Sequence, residues 1–207
     1  MEYKALPIFR FDDVCINADM NLINDITDFI KRQYLDRVQI IWGISPLVHW
    51  MSDFNGKHAQ RVFPEILNAY SDYRKFYYVD LCGIPQIRED VTLAGHGLVH
   101  VDHRLLDYAA QELSIVTSCS LVKADMFIPP FNKWNRTTEI ICQDHDIELV
   151  KFEDGWKSME YNKYDPEHDK YYLHAREWVI DIKNDKNGYT TQYHDTMSLK
   201  NIIDWFK

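Results

Sequence analysis

An α/β fold built on a parallel sheet or barrel is what the 207-residue sequence predicts, on two observations. Short apolar runs of strand length alternate with stretches whose apolar residues recur at helical spacing, which is the order that βα units impose. Asp12, Asp13, His96, Pro130 and His174 also fall at predicted strand ends. In parallel α/β folds the carboxyl ends of the strands gather at one face, so a single assumption explains the alternation and brings these residues together.

Leu6 to Phe11 is an apolar run broken only by Pro7 and Arg10, suited to a first buried strand that ends at the Asp pair. Leu22, Ile23, Ile26, Phe29 and Ile30 then mark an amphipathic helix that Asp19 or Asn21 could cap. Val38 to Ile44 is a second strand, and the turn from Gly43 to Pro46 opens a loop containing His49, Trp50, Met51, Asp53 and Gly56. A helix over Val62 to Tyr70, a strand around Phe76 to Leu81 and a break at Gly83 to Pro85 follow. Val91 to Ala94 is the strand that leads to His96 and His100.

Leu105, Leu106, Ala109, Ala110, Leu113 and Val116 predict the next helix, with Asp102 as its cap. Met126 to Ile128 is a short strand stopped by Pro129 and Pro130, and 131–135 is a loop. A helix from Thr137 to Gln143, a strand from Ile147 to Phe152 and a turn at Gly155 come next. Tyr171 to Leu173 delivers His174, and Ser198 caps a last helix containing Leu199, Ile202, Ile203 and Phe206.

Nothing resembling a Gly/Ser/Pro linker divides the chain, so 1–207 reads as a single domain. A formal charge of -9 with no Lys/Arg block argues against a nucleic-acid partner. Cys15, Cys82, Cys119 and Cys142 form no Cys-x-x-Cys pair and read as reduced, mostly buried thiols. The first residues carry no apolar signal segment and no later run is long enough for a membrane span, so the expected location is cytoplasmic.

Burying even one ionised carboxylate costs roughly several kcal/mol unless a cation or hydrogen bonds offset it, so adjacent Asp12 and Asp13 after an apolar strand call for compensation. His96 and His100 are the densest neutral-pH ligands elsewhere. One Asp with two His gives three ligands and leaves positions open, the arrangement of a catalytic metal. Imidazole favours zinc over magnesium, with iron, cobalt or nickel as alternatives. One Asp then binds the metal while its neighbour handles a proton, and His174 has a suitable pKa for a general acid. His103 reads as a solvated helix position. Trp50, Trp134, Trp156 and Trp178 read as core residues that would offer stacking surfaces if exposed. His49, His58, His145, His168 and His194 have no distinguishing spacing.

Together these residues resemble the polysaccharide deacetylase family, the NodB-homology carbohydrate esterases, whose fold is a distorted, incomplete (β/α) barrel. Arg10-Phe11-Asp12-Asp13-Val14 occupies the place of its Thr-Phe-Asp-Asp-Gly motif, and His96-Gly97-Leu98-Val99-His100 that of its His-Ser/Thr-x-x-His motif. The resemblance implies that Asp12 is the base and that Asp13, His96 and His100 bind one divalent metal ion. Phe127-Ile128-Pro129-Pro130-Phe131 is similar to the groove-lining Arg-x-Pro-Tyr motif, which implies an oxyanion donor in the Phe131 N–H and makes Pro130, Asn132 and Trp134 substrate-binding candidates. Leu173-His174 matches the motif of the acid. Two departures stand out: Gly97 replaces a hydroxyl residue, and Ile128 stands where an Arg is common. The implied function is metal-dependent removal of an acetyl group from an N-acetylated sugar or soluble saccharide intermediate. The alternatives are a degenerate deacetylase fold that binds saccharide or metal without turnover, or hydrolysis of another amide or ester.

Overall fold

The computed structural model describes residues 6–15, 20–46, 88–98, 100–174 and 198–207. The expected loop with His49, Trp50, Met51, Asp53 and Gly56, the helix over Val62 to Tyr70, the strand around Phe76 to Leu81 and the break after it lie outside those residues, as do His58, Cys82, Trp178 and His194. The described elements are β1 (Ile8–Cys15), α1 (Met20–Gln33), β2 (Gln39–Ser45), β3 (Thr92–Gly95), α2 (Tyr108–Val122), β4 (Met126–Phe127), α3 (Arg136–Asp144), β5 (Glu148–Leu149), β6 (Lys157–Ser158), β7 (Lys170–His174) and α4 (Leu199–Trp205). The described strands form one sheet in the order β5-β4-β3-β2-β1-β7-β6, with β1 inside it between β2 and β7. Every described pairing is parallel. The architecture is a distorted, incomplete (β/α) barrel, and among the described residues no pairing joins β5 to β6.

The two-residue period of a strand sorts the side chains into two layers. Phe9, Phe11, Ile40, Trp42, Ile44, Tyr171 and Leu173 face the helix layer and pack with Ile23, Ile26 and Ile30 of α1 and Ile202 of α4. Ile41, Ala94, Met126, Ile128 and Tyr172 face the other way and form the inner layer with Val150 and Trp156. An aromatic cluster fastens α4 to β1: the Phe9 ring lies 5.5 Å from Tyr171, 6.2 Å from Phe206 and 6.4 Å from Trp205.

Several boundaries differ from the sequence reading. β1 runs on to Cys15, so the Asp pair lies inside the strand and does not end it. The cap of α2 is Asp107, whose carboxylate accepts from the Ala110 N–H at 2.9 Å, while Asp102 caps only a 3₁₀ turn over His103–Leu105. A 3₁₀ turn over Pro130–Asn132 replaces the start of the expected loop, and Asn135 caps α3. The strand expected to reach Phe152 stops at Leu149. β6 has no sequence signature, because two residues show no periodicity and only pairing with Tyr171 and Tyr172 makes them a strand. Ser198 caps α4 as expected, accepting from the Asn201 N–H. Among the described residues no helix is long and apolar enough to cross a membrane.

Candidate active site

Regular alternation accounts for half of the site. Arg10 pairs in register with Tyr172 and Asp12 with His174 across β1 and β7, so these four residues share the inner face of the sheet. Asp13 should then point outward with Phe11. It does not, because the β1–β2 register breaks between Phe11 and Val14 and Asp13 adopts φ 65°. A bulge of this kind re-aims a side chain, and here it carries Asp13 to the two histidines.

Asp13, His96 and His100 are all buried, with ligand atoms within 4.8 Å of one another. Asp13 Oδ1 lies 3.2 Å from His96 Nε2 and 2.8 Å from His100 Nε2. The backbone of His96 is held by β2: its N–H donates to the Ile44 carbonyl and its carbonyl accepts from the Ser45 hydroxyl, both at 2.9 Å. The His96 ring is oriented by Ile128, whose carbonyl accepts from Nδ1–H at 2.7 Å. That bond leaves the lone pair of a neutral imidazole on Nε2, facing a carboxylate oxygen. Two acceptors that close repel unless a proton or a cation lies between them, so the donor set fits a divalent ion of the zinc type.

The segment carrying His100 is pinned to α2 by Ser114. Leu98 N–H donates to Ser114 Oγ at 3.1 Å, and Ser114 Oγ lies 2.9 Å from His103 Nε2. His103 Nδ1–H donates to the Val101 carbonyl at 2.9 Å. The solvated position expected for His103 is therefore corrected: it is fully buried, and burial pushes its pKa down to about 4 against the opposing hydrogen bond to Val101. Gly95 allows this approach, since a Cβ there would sit 2.6 Å from Cys119 Sγ and 2.9 Å from Ser118 Oγ. Cys119 and Cys142 are buried free thiols, with burial raising their pKa to about 11 and about 12.

Two charged residues that sequence reasoning missed hold the proton-transfer candidates. Arg10, 0% exposed, places Nε 2.8 Å from Asp12 Oδ1 and donates from one terminal nitrogen to Asp12 Oδ2 at 2.8 Å. Its signal was present, since an Arg two residues before an Asp on a strand shares that Asp's face. Glu160 had no signal. It accepts from the His174 backbone N–H at 3.0 Å, and its carboxylate lies 2.9 Å from His174 Nδ1. Burial lowers the His174 pKa, but the Glu160 hydrogen bond and the charges of Asp13 and Asp12 outweigh it, and the net shift is upward.

The 130–132 turn closes the site. The Phe131 ring lies 4.2 Å from the His100 ring, and both Phe131 and Asn132 have left-handed backbones, with φ 59° and 54°. Pro130 is buried, and Asn132 turns its side-chain oxygen to Arg10 at 2.6 Å. Trp134 is half-buried and makes no hydrogen bond or ring contact among the described residues. Trp156 is buried against the Arg10 guanidinium, 4.7 Å from its ring centroid.

The sequence matches no protein-family model and none of the curated proteins. Among solved structures the chain is similar to a family 4 carbohydrate esterase from Streptomyces lividans in complex with acetate, at 14% identity and a TM-score of 0.48, covering 84% of this chain and 80% of that one. It is similar to a peptidoglycan N-acetylglucosamine deacetylase in complex with 4-naphthalen-1-yl-N-oxidanyl-benzamide, at 12% identity and 0.49, covering 83% and 73%. A family 4 pseudoenzyme from Bacillus anthracis is similar at 9% identity and 0.47, covering 83% of this chain and 56% of that one, so the chain spans little more than half of its length. These three structures are thus a family 4 carbohydrate esterase, a peptidoglycan N-acetylglucosamine deacetylase and a family 4 pseudoenzyme.

Proposed function

We propose that this protein is a metal-dependent hydrolase that removes an acetyl group from an N-acetylated sugar or saccharide intermediate. The observation that carries this reading is the pairing of Asp12 with His174 across β1 and β7, beside the buried Asp13, His96 and His100 cluster. Those three residues would hold one divalent ion, most simply zinc, which when bound supplies Lewis acidity toward the acyl oxygen and an attacking water.

Asp12 takes a proton from the attacking water, using lone pairs that Arg10 does not engage. The water oxygen bonds to the acyl carbon, and the Phe131 N–H donates to the developing oxyanion. His174, oriented by Glu160, then gives its proton to the amine nitrogen as the C–N bond breaks, releasing acetate and the free amino sugar. Pro130 and Trp134 stand as walls for the sugar. Asn132 holds the turn through Arg10 by its side-chain oxygen, which leaves its amide N–H groups as the donors it would offer the sugar.

Acetate release from N-acetylated mono- and oligosaccharides, compared with acetylated peptides and aryl acetates in the zinc-loaded protein, tests this. Turnover of saccharides, lost in Asp12→Asn, is the expected result. Saccharide binding without acetate release would instead establish the non-catalytic alternative, and turnover confined to peptides or aryl esters would move the activity to another amide or ester.

A further inference from the structure

We propose that Arg10 is a positioning residue that sets two parts of the site at once, the carboxylate of Asp12 and the turn that carries the Phe131 N–H. The proposal rests on the function proposed above, in which Asp12 takes the proton and Phe131 meets the oxyanion. One terminal nitrogen of Arg10 makes both links, donating to Asp12 Oδ2 at 2.8 Å and to Asn132 Oδ1 at 2.6 Å. Its two hydrogens are then fully used, so neither partner can shift without disturbing the other. Nε also lies 2.8 Å from Asp12 Oδ1 without an aligned N–H, so that approach adds charge attraction while the hydrogen bond to Oδ2 sets the carboxylate's position.

The guanidinium is itself held rigidly. It sits over the Trp156 ring at 4.7 Å and the Tyr172 ring at 4.9 Å, with no exposed surface. Stability alone does not call for such a residue, because a buried ion pair is often replaced by apolar side chains at no loss. The turn has need of a tie. Phe131 and Asn132 occupy consecutive left-handed conformations; asparagine tolerates that backbone, but phenylalanine adopts it only when the surroundings enforce it, and Asn132 beside it reaches Arg10. A lysine cannot substitute, since a compact ammonium lacks the planar group that stacks on Trp156 and Tyr172 while aiming two N–H groups of one nitrogen at Asp12 and Asn132.

Arg10→Lys, Asn132→Gly and the double variant test this in the zinc-loaded protein. Asn132→Gly removes the acceptor while suiting the left-handed backbone. We expect Arg10→Lys to lower kcat about 100-fold with KM and metal stoichiometry unchanged, because misplacement of reacting groups falls on the chemical step. Asn132→Gly should lower kcat about tenfold, and the double should be no slower than Arg10→Lys alone. Parental kcat in either single variant, or losses that multiply in the double, would overturn the proposal. Where Arg10→Lys does not fold, Asn132→Gly on the half-buried turn decides alone. A parent protein that releases no acetate would sink the proposed function and leave the tie testable. The melting midpoints of the four proteins should then show the two substitutions to be non-additive, and additive shifts would show that no tie exists.

Discussion

At Asp13 a single backbone angle places a charge, since φ 65° in a bulged strand turns a side chain that would face the helix layer toward His96 and His100. Such a conformation costs an L-residue on the order of 1–3 kcal/mol. Asp13→Gly should therefore bind no divalent ion and yet, in metal-free buffer, melt no lower than the parent, as elemental analysis and thermal unfolding would show. Gly95→Ala should have the opposite character. Its Cβ would meet Cys119 and Ser118 on α2, and overpacking of that kind costs about 1–3 kcal/mol without touching a ligand. His103 predicts a pH dependence of stability. Its folded pKa of about 4 lies below the ordinary value near 6.5, so the unfolded chain binds the proton more readily between those limits. Stability should fall by roughly 3 kcal/mol as pH drops from about 6.5 to about 4, and His103→Gln should remove that part of the slope in denaturant titrations.

The turn over Pro130–Asn132 carries the N–H that we propose as the oxyanion donor, and its backbone sets what can be substituted there. Phe131→Pro removes the N–H but also forces φ to about -65° where the turn holds 59°, so its loss of activity would mix two causes. Phe131→Gly keeps the N–H and relieves the left-handed backbone, losing only the ring against His100. It should retain activity within about tenfold of the parent, whereas Phe131→Pro should lose about 100-fold or more. Equal kcat in the two variants would remove the N–H of Phe131 from the mechanism. The sequence pointed to this turn through the Pro129-Pro130 stop. The left-handed backbone at Phe131 was not legible, because phenylalanine carries none of the glycine or asparagine signal that normally marks such backbone.

Across the whole molecule the site is assembled from separate parts of the sheet: β1 supplies Asp12 and Asp13, the segment after β3 supplies His96 and His100, and the strand at the other side of β1 supplies His174. Glu160 joins from the connection between β6 and β7, and its carboxylate helps to keep His174 protonated to higher pH. Glu160→Gln removes that charge, so the pKa of His174 should fall and the alkaline limb of the kcat/KM profile should move to lower pH. An unmoved limb would show that another group is the acid. The same variant should leave metal content unchanged, because Glu160 lies outside the ligand cluster.

Strand and helix alternation is a local property, set by the two-residue period of strands and the 3.6-residue period of helices, and it was readable because burial imposes those periods on the amino acids themselves. The expected gathering of Asp12, Asp13, His96 and His174 came instead from the rule that parallel strands bring their carboxyl ends to one face. What the tertiary structure alone decided is the partner of each charge. Ile128 takes an apolar place beside Trp156 in the inner layer, and the arginine beside Asp12 comes instead from two residues upstream on the same strand. Glu160 reaches His174 from a connection without periodicity, and His103 is drawn from an expected surface position into the core by Ser114. Charges are satisfied by whichever side chain the packed sheet brings within about 3 Å, a distance that depends on register, bulges and turns and leaves no repeat in the sequence.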